Sequence, residues 1–342
     1  MFGAFRFVLA AMVVVTHMFY PYWFGHYAVF GFFVLSGYLM VLVTNRTYPL
    51  TTAGVSKFLV NRFLRIYPIY IVILLISLLV VYYTPNSQVF NEALKLPDTA
   101  SDWVRNVFIF GMAYDSGSRI IPPVWALANE LVFYLLICLF LGRNAYVAMV
   151  WFLASILWVA SSIYSEGGFS ERYFSIAAAS LPFSVGALIY HYKKYLDNIF
   201  DRVPWWFLVL FTIYVFISPI CILFLEKGGA LFNLIDPHGL VMYLNIILMA
   251  IWIGKLNNFK FKDSRLVEAD KFLGDLSYPI YLVHWIVGLL VANYILDDLN
   301  RGSFLLMLIC LLCSIIFSSF LVVYVERPLE SIRSRVRRYN AR

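Results

Sequence analysis

Charged residues are scarce in this chain: Asp, Glu, Lys and Arg make up 13% of its 342 residues, too few to coat a soluble globule. The shortage sits beside 62% hydrophobic residues and a mean hydropathy of +0.81. Together they exclude a water-soluble enzyme and fit an integral membrane protein. Cysteine is scarce too. Cys138, Cys221, Cys310 and Cys313 all fall inside apolar runs, and Cys310-x-x-Cys313 has no His or acidic residue close by. No disulfide framework and no metal site is expected; the thiols read as packing groups. A Gly-x-Ser-x-Gly elbow is missing, which removes support for a serine nucleophile. Tandem repeats, low-complexity tracts and a hidden soluble domain are missing as well, so residues 1–342 read as one membrane domain.

What the chain does have is long apolar runs. Lipid offers no partners to unpaired backbone groups, so each run of about 20 apolar residues is expected to cross as a helix. Ten segments qualify, near 4–23, 27–45, 64–84, 122–141, 146–165, 172–190, 204–224, 239–255, 273–296 and 303–325. The expectation is an all-α integral membrane protein of about ten transmembrane helices. The first segment lacks a basic leader and a small-residue cleavage site, so it reads as a retained span. The longest polar piece is an outer loop of about 85–121, in which NEAL and SDWVRNVFIF are expected to form short helices, and GKLNNFKFKDSRLVEADKFLGD reads as an inner polar linker.

Lys and Arg collect in cytoplasmic loops. With the N-terminus inside, the inner loops and tail hold 19 of them and the outer loops 6, so both termini are expected in the cytoplasm. The net charge of +7 is thereby explained without nucleic acid, because the basic tail 327–342 suits an anionic inner leaflet.

Within the first span, FRFVLAAMVVVTH sets Arg6 and His17 eleven residues apart. At 100° per residue they stand about 20° past three full turns, on one helical face and roughly 16 Å apart along the axis. Arg6 reads either as an interfacial anchor or as a functional cation. A deep imidazole is costly unless it faces a partner or a cavity, and it suits general-base work near neutral pH. Glu130, beside Asn129 in PPVWALANELVFYLL, lies roughly 10 Å in from the outer end of a helix of opposite direction, at a depth where it could meet His17. In LSYPIYLVHW, Ser277, Tyr281 and His284 share a face; His284 reads equally as a packed core histidine or as a chemical group. Arg62 and Arg65 in VNRFLRIYPIY serve either as positive-inside residues or as a fork for phosphates. In GFFVLSGYLM, Ser36 and Gly37 allow close helix packing or leave room for a thin acyl-bearing arm.

Five separated stretches, in order, resemble the bacterial membrane-bound acyltransferase family 3, which includes the O-acetyltransferases of surface polysaccharides. They are FRFVLAAMVVVTH, GFFVLSGYL, NRFLRIYPIY, VWALANELVFY, and LGDLSYPIYLVHW followed by VERPLE. The resemblance implies about ten helices in the bacterial inner membrane and an acyl-CoA donor, most often acetyl-CoA, entering from the cytoplasm. It implies no bound cofactor, and as acceptor a hydroxyl of a glycan or lipid-linked sugar. Carried over position by position, Arg6 and His17 match the family's essential pair, and Arg62 and Arg65 its second arginine motif. Glu130 matches its acidic residue, flanked by Asn129, and Ser277, Tyr281 and His284 match a supporting signature. On this reading His17 is the base, Glu130 orients it or the acceptor, and Arg6, Arg62, Arg65 and Ser36 serve the donor. The chain departs from the commonest pattern at Gly3, Phe7 and Leu131, where many members carry an acid, a glycine and a second Glu. A transporter or flippase of a lipid-linked sugar or small molecule would use similar buried groups, but the two halves show no inverted repeat.

Overall fold

The computed structural model describes residues 2–20, 22–224 and 236–338, and every regular element among them is a helix. In chain order these are α1 (Gly3–Met18), α2 (Trp23–Arg46), α3 (Thr52–Tyr83), α4 (Ser87–Phe90), α5 (Ala100–Phe108), α6 (Val124–Leu136), α7 (Ala145–Tyr164), α8 (Phe169–Phe174) and α9 (Ile176–His191). They continue as α10 (Lys193–Arg202), α11 (Trp205–Ile217), α12 (Leu240–Asn258), α13 (Ser264–Val291), α14 (Phe304–Leu321) and α15 (Arg327–Arg338). Single π turns extend α6 to Leu141, α13 to Leu296 and α14 to Glu326.

Each of the ten expected apolar segments is helical, but they differ in length. Among the described residues, seven helices are long and apolar enough to cross a membrane. The pair α10 and α11, bent by 91°, makes an eighth if it is one span, while α1 and α9 are shorter. Several boundaries correct the sequence reading. α1 ends at Met18 rather than 23. α3 starts at Thr52, twelve residues before the expected span, because Thr51 caps it by accepting a hydrogen bond from the Gly54 N–H (3.1 Å). Arg62 and Arg65 therefore lie inside a continuous 32-residue helix and not at its mouth. Ser175 breaks the sixth segment into α8 and α9, capping α9 through the Ala178 N–H. The expected polar linker is mostly helix, the ends of α12 and α13, with Asp263 capping α13. In the outer loop, SDWVRNVF is helical but NEAL is not; the helix there is Ser87–Phe90. Lys227 and residues 339–342 of the basic tail, both used in assigning orientation, lie outside the described residues.

α1 packs between α2 and α13, α2 lies along α9, and α14 backs α1 and α13. Two small-residue contacts set these distances. A Cβ on Gly37 of α2 would come within 2.3 Å of the Phe183 carbonyl oxygen on α9, and one on Gly186 of α9 within 2.2 Å of the Val34 carbonyl oxygen. The backbones interlock at this pair, as in other small-residue helix contacts. Gly37→Val is thus expected to destabilise the protein by about 1–3 kcal/mol or more, overpacking against backbone being the cause. A lowered thermal midpoint in detergent would record it; an unchanged midpoint would show that α2 and α9 can separate freely.

The second contact explains Gly3. A Cβ there would lie 1.5 Å from the Asp270 carbonyl oxygen of α13, and the Asp270 carboxylate accepts hydrogen bonds from the Gly3 and Ala4 N–H groups (3.1 and 2.9 Å). α1 has no acid of its own, and α13 supplies a carboxylate to its start, where the helix dipole favours negative charge.

Candidate active site

α1, α2, α3, α6 and α13 surround a central cavity of about 140 Å³. Arg6 enters it from α1, Ser36 from α2, Arg62 and Arg65 from α3, Glu130 and Tyr134 from α6, and Ser277 and Tyr281 from α13. Two larger cavities flank it. One, of about 630 Å³, shares Arg6, Leu39, Met40, Arg62 and Arg65 with the central cavity and opens among α13 and α15, where Asp275, Glu326, Arg327 and Arg333 line it. The other, of about 680 Å³, shares Val29 and Tyr281 and opens toward the loops after α3, α5 and α13; His17 lines it. The three form a series, with arginines at one junction and His17 beyond the other.

The arginines are not equivalent. Arg6 has no hydrogen-bond or ion-pair partner within 4 Å among the described residues, although Glu130, Asp270 and Asp275 surround it at longer range. Arg62 meets neutral groups: Asn61 Oδ1 (3.2 Å), Met40 Sδ (3.7 Å) and the Phe58 ring (5.7 Å), and its buried Nε has no partner. Arg65, by contrast, is ion-paired with Glu326 and lies 3.5 Å from Asp275. Two uncompensated cations therefore face the cavity beside one compensated cation. Glu130 shares their cavity without touching either, so Arg6 and Arg62 are the pair whose guanidinium edges an anion could contact.

Glu130 accepts a hydrogen bond from Ser36 Oγ, tying α6 to α2 inside the central cavity. It makes no hydrogen bond to His17 among the described residues, and His17 lines the other flanking cavity. Nor does Asn129 line any of the three cavities; its Nδ2 donates to the Phe174 carbonyl (3.2 Å) and ties α6 to α8. Ser277 turns back on its own helix, donating to the Gly274 carbonyl (2.7 Å), and Tyr281 donates to the Pro123 carbonyl (2.8 Å) at the head of α6. Gly37 is a packing residue, whereas its neighbour Ser36 is a cavity residue.

The partner of His17 is His284. The two rings lie nearly parallel, and His17 Nδ1 is 2.9 Å from His284 Nε2. His284 is fully buried, with Nδ1 3.2 Å from the Ile280 carbonyl oxygen. A carbonyl only accepts, so Nδ1 of His284 carries the proton and its Nε2 holds the lone pair. His17 must then donate from Nδ1, which leaves the lone pair of its Nε2 free. A deep imidazole is thus fixed in the tautomer that a general base requires.

Several cavity residues carried no assignment in the sequence. Trp285 follows His284, and its ring centroid stands 4.9 Å from that of His17. Glu326 and Arg327 belong to VERPLE, a motif that matched without indicating a role. Arg119 and Arg301 sit in loops, where no periodicity marks a side chain as inward-facing.

A family model described as an acyltransferase domain matches residues 2–324. No curated protein and no solved structure matches the chain. The match covers every helix that lines the three cavities apart from α15, and the chain therefore belongs to acyltransferase family 3, as a multi-helix membrane acyltransferase.

Proposed function

We propose that the protein moves an acyl group, acetyl by default, from acyl-CoA at the cytoplasmic face to a hydroxyl of a cell-surface glycan or its lipid-linked precursor. The observation that carries this reading is the series of cavities, with unpaired arginines at one junction and an oriented imidazole past the next. Phosphates of the donor rest on Arg6 and Arg62, with Arg333 and Arg327 at the inner mouth, since guanidinium forks match phosphate oxygens. A thin arm then spans the central cavity past Ser36. From Arg6 to His17 the rise along α1 is roughly 16 Å, which the arm has to bridge.

The thioester arrives near the junction that Val29 and Tyr281 share with the outer cavity. The acceptor hydroxyl enters from the outer side. His17 Nε2 takes its proton, the oxygen bonds to the thioester carbon, and the C–S bond breaks. The sulfur leaves as thiolate and the proton is returned to it as free thiol. The distribution of Lys and Arg supports an inner membrane setting with both termini cytoplasmic. A transporter of lipid-linked sugar has no comparable use for the two uncompensated arginines, and membership of an acyltransferase family favours transfer over transport.

Purified protein given radiolabelled acetyl-CoA should release CoA and transfer label. In that assay Arg62→Ala is expected to weaken donor binding by roughly tenfold to a hundredfold, the range of a lost charge-assisted hydrogen bond. Arg65→Ala should act differently, lowering thermal stability, because Glu326 loses its nearer cation and keeps only Arg333, at 3.6 Å. Equal effects of the two on donor affinity would show that the ion pair opens to admit phosphate.

A further inference from the structure

We infer that the outer cavity binds an acceptor bearing an anionic group, a sugar carboxylate or a phosphate, on Arg119 and Arg301. This rests on the acyl-transfer reading and adds the class of acceptor.

Arg119 lies in the loop between α5 and α6, held by its backbone N–H on the Ala93 carbonyl (3.0 Å). It is only 8% exposed, an unusual degree of burial for an arginine outside a helix. Its Nη1 donates to the Ser116 carbonyl (3.2 Å), its guanidinium lies over Tyr114 (4.9 Å), and its enclosed Nε has no partner. Arg301, in the loop after α13, lies over Trp285 (5.0 Å) and donates to the carbonyl oxygen of His17 (3.4 Å). It thereby touches both the base and the aromatic ring beside it. Neither guanidinium has an acidic side chain within 4 Å among the described residues; Asp115 is felt by Arg119 only at longer range. Among the described residues, the one carboxylate lining the cavity is Glu92, which is exposed.

Desolvation lowers the pKa of both groups, Arg119 and Arg301 alike. Neutralisation of an arginine is out of reach at ordinary pH, so the cost of holding two such cations uncompensated is offset when an anion docks. Planar guanidinium groups stacked on aromatic rings present their free N–H edges sideways, the geometry that grips carboxylate and phosphate oxygens. Trp125, Phe174 and Tyr173 line the same cavity and make part of its wall aromatic, which suits the C–H side of a sugar ring. An entirely neutral sugar would leave both cations unpaired inside a closed complex, a penalty that disfavours it.

The test uses full-length purified protein, radiolabelled acetyl-CoA and a glycan and lipid-linked sugar extract from the producing cells. The extract is supplied untreated, after chemical reduction of its carboxyl groups to alcohols, or after phosphatase. Loss of label transfer on reduction identifies a sugar carboxylate, and loss on phosphatase treatment a phosphate; either supports the inference. Arg119→Gln and Arg301→Gln should each raise the acceptor KM by roughly tenfold to a hundredfold, with acetyl-CoA binding unchanged as proof of folding. Arg119→Lys, which keeps charge but loses the planar fork, should fall between wild type and Arg119→Gln. Transfer that survives both treatments and both glutamine variants overturns the anionic acceptor while leaving acyl transfer intact. Absence of both transfer and CoA release from wild-type protein overturns the acyl-transfer reading, and this inference with it.

Discussion

His17→Ala is expected to lower acyl transfer by about a hundredfold to ten-thousandfold, the usual worth of a positioned general base, while acyl-CoA binding persists. The separation follows from the geometry. The uncompensated arginines lie at the junction of the central and inner cavities, whereas His17 lines the outer one, about three helical turns away on α1. Truncating the imidazole removes the acceptor of the hydroxyl proton without touching a group that meets phosphate. The base must be neutral to act, so wild-type turnover should fall as pH drops and the imidazole protonates, and the remaining activity of His17→Ala should lose that acid limb. Turnover compared at equal amounts of folded protein, with donor binding measured separately, is the required experiment. Near-normal turnover in the variant would remove His17 from the chemistry.

The second large effect concerns His284, which the sequence alone left open between packing and chemistry. His284→Ala should reduce kcat by roughly a hundredfold while the KM for acyl-CoA stays unchanged. That lies between the tenfold to hundredfold typical of lost supporting contacts and the larger cost of holding a catalytic imidazole in the wrong tautomer. The relay from the Ile280 carbonyl through His284 to His17 fixes which nitrogen of His17 carries its proton. Without the Nε2 lone pair of His284, the Nδ1–H of His17 has no acceptor there, and the ring is free to place its proton on Nε2, where it blocks base catalysis. A side chain that can still accept, as in His284→Gln, should recover part of the rate, and a packing role predicts no such recovery. His284 is fully buried and its carbonyl accepts from the Cys310 thiol (3.3 Å), so stability must be measured in both variants. If His284→Gln and His284→Ala lose activity only in proportion to lost folded protein, the relay has no part in turnover.

The two predictions rest on different depths of information. That Arg6 and His17 share a face follows from the chain itself, because the rotation per residue in a helix is fixed by backbone geometry. The same local logic makes the apolar runs helical, since an unpaired peptide group in lipid has no alternative partner. It also exposes scarcity: so few charged residues occur that each one in a span asks for an explanation. These properties depend on residues a few positions apart, and a sequence displays them directly.

Which residue each group meets was decided only by the tertiary structure. Depth alone made Glu130 a plausible companion of His17, yet Glu130 bonds to Ser36, and His17 bonds to His284, 267 residues distant. Arg62 and Arg65 look alike one turn apart, yet only Arg65 meets Glu326, from the far end of the chain. Two groups at one depth can face each other or be turned aside by a rotation of half a turn about either helix axis. That rotation is set by surface shape, here by the interlocking of Gly37 with Gly186 and of Gly3 with Asp270. Close packing of this kind sums small contacts along whole helices, and no local pattern encodes the sum. Loop arginines such as Arg119 and Arg301 were hidden for a related reason: a loop has no period, so only the folded chain shows which of its side chains point inward.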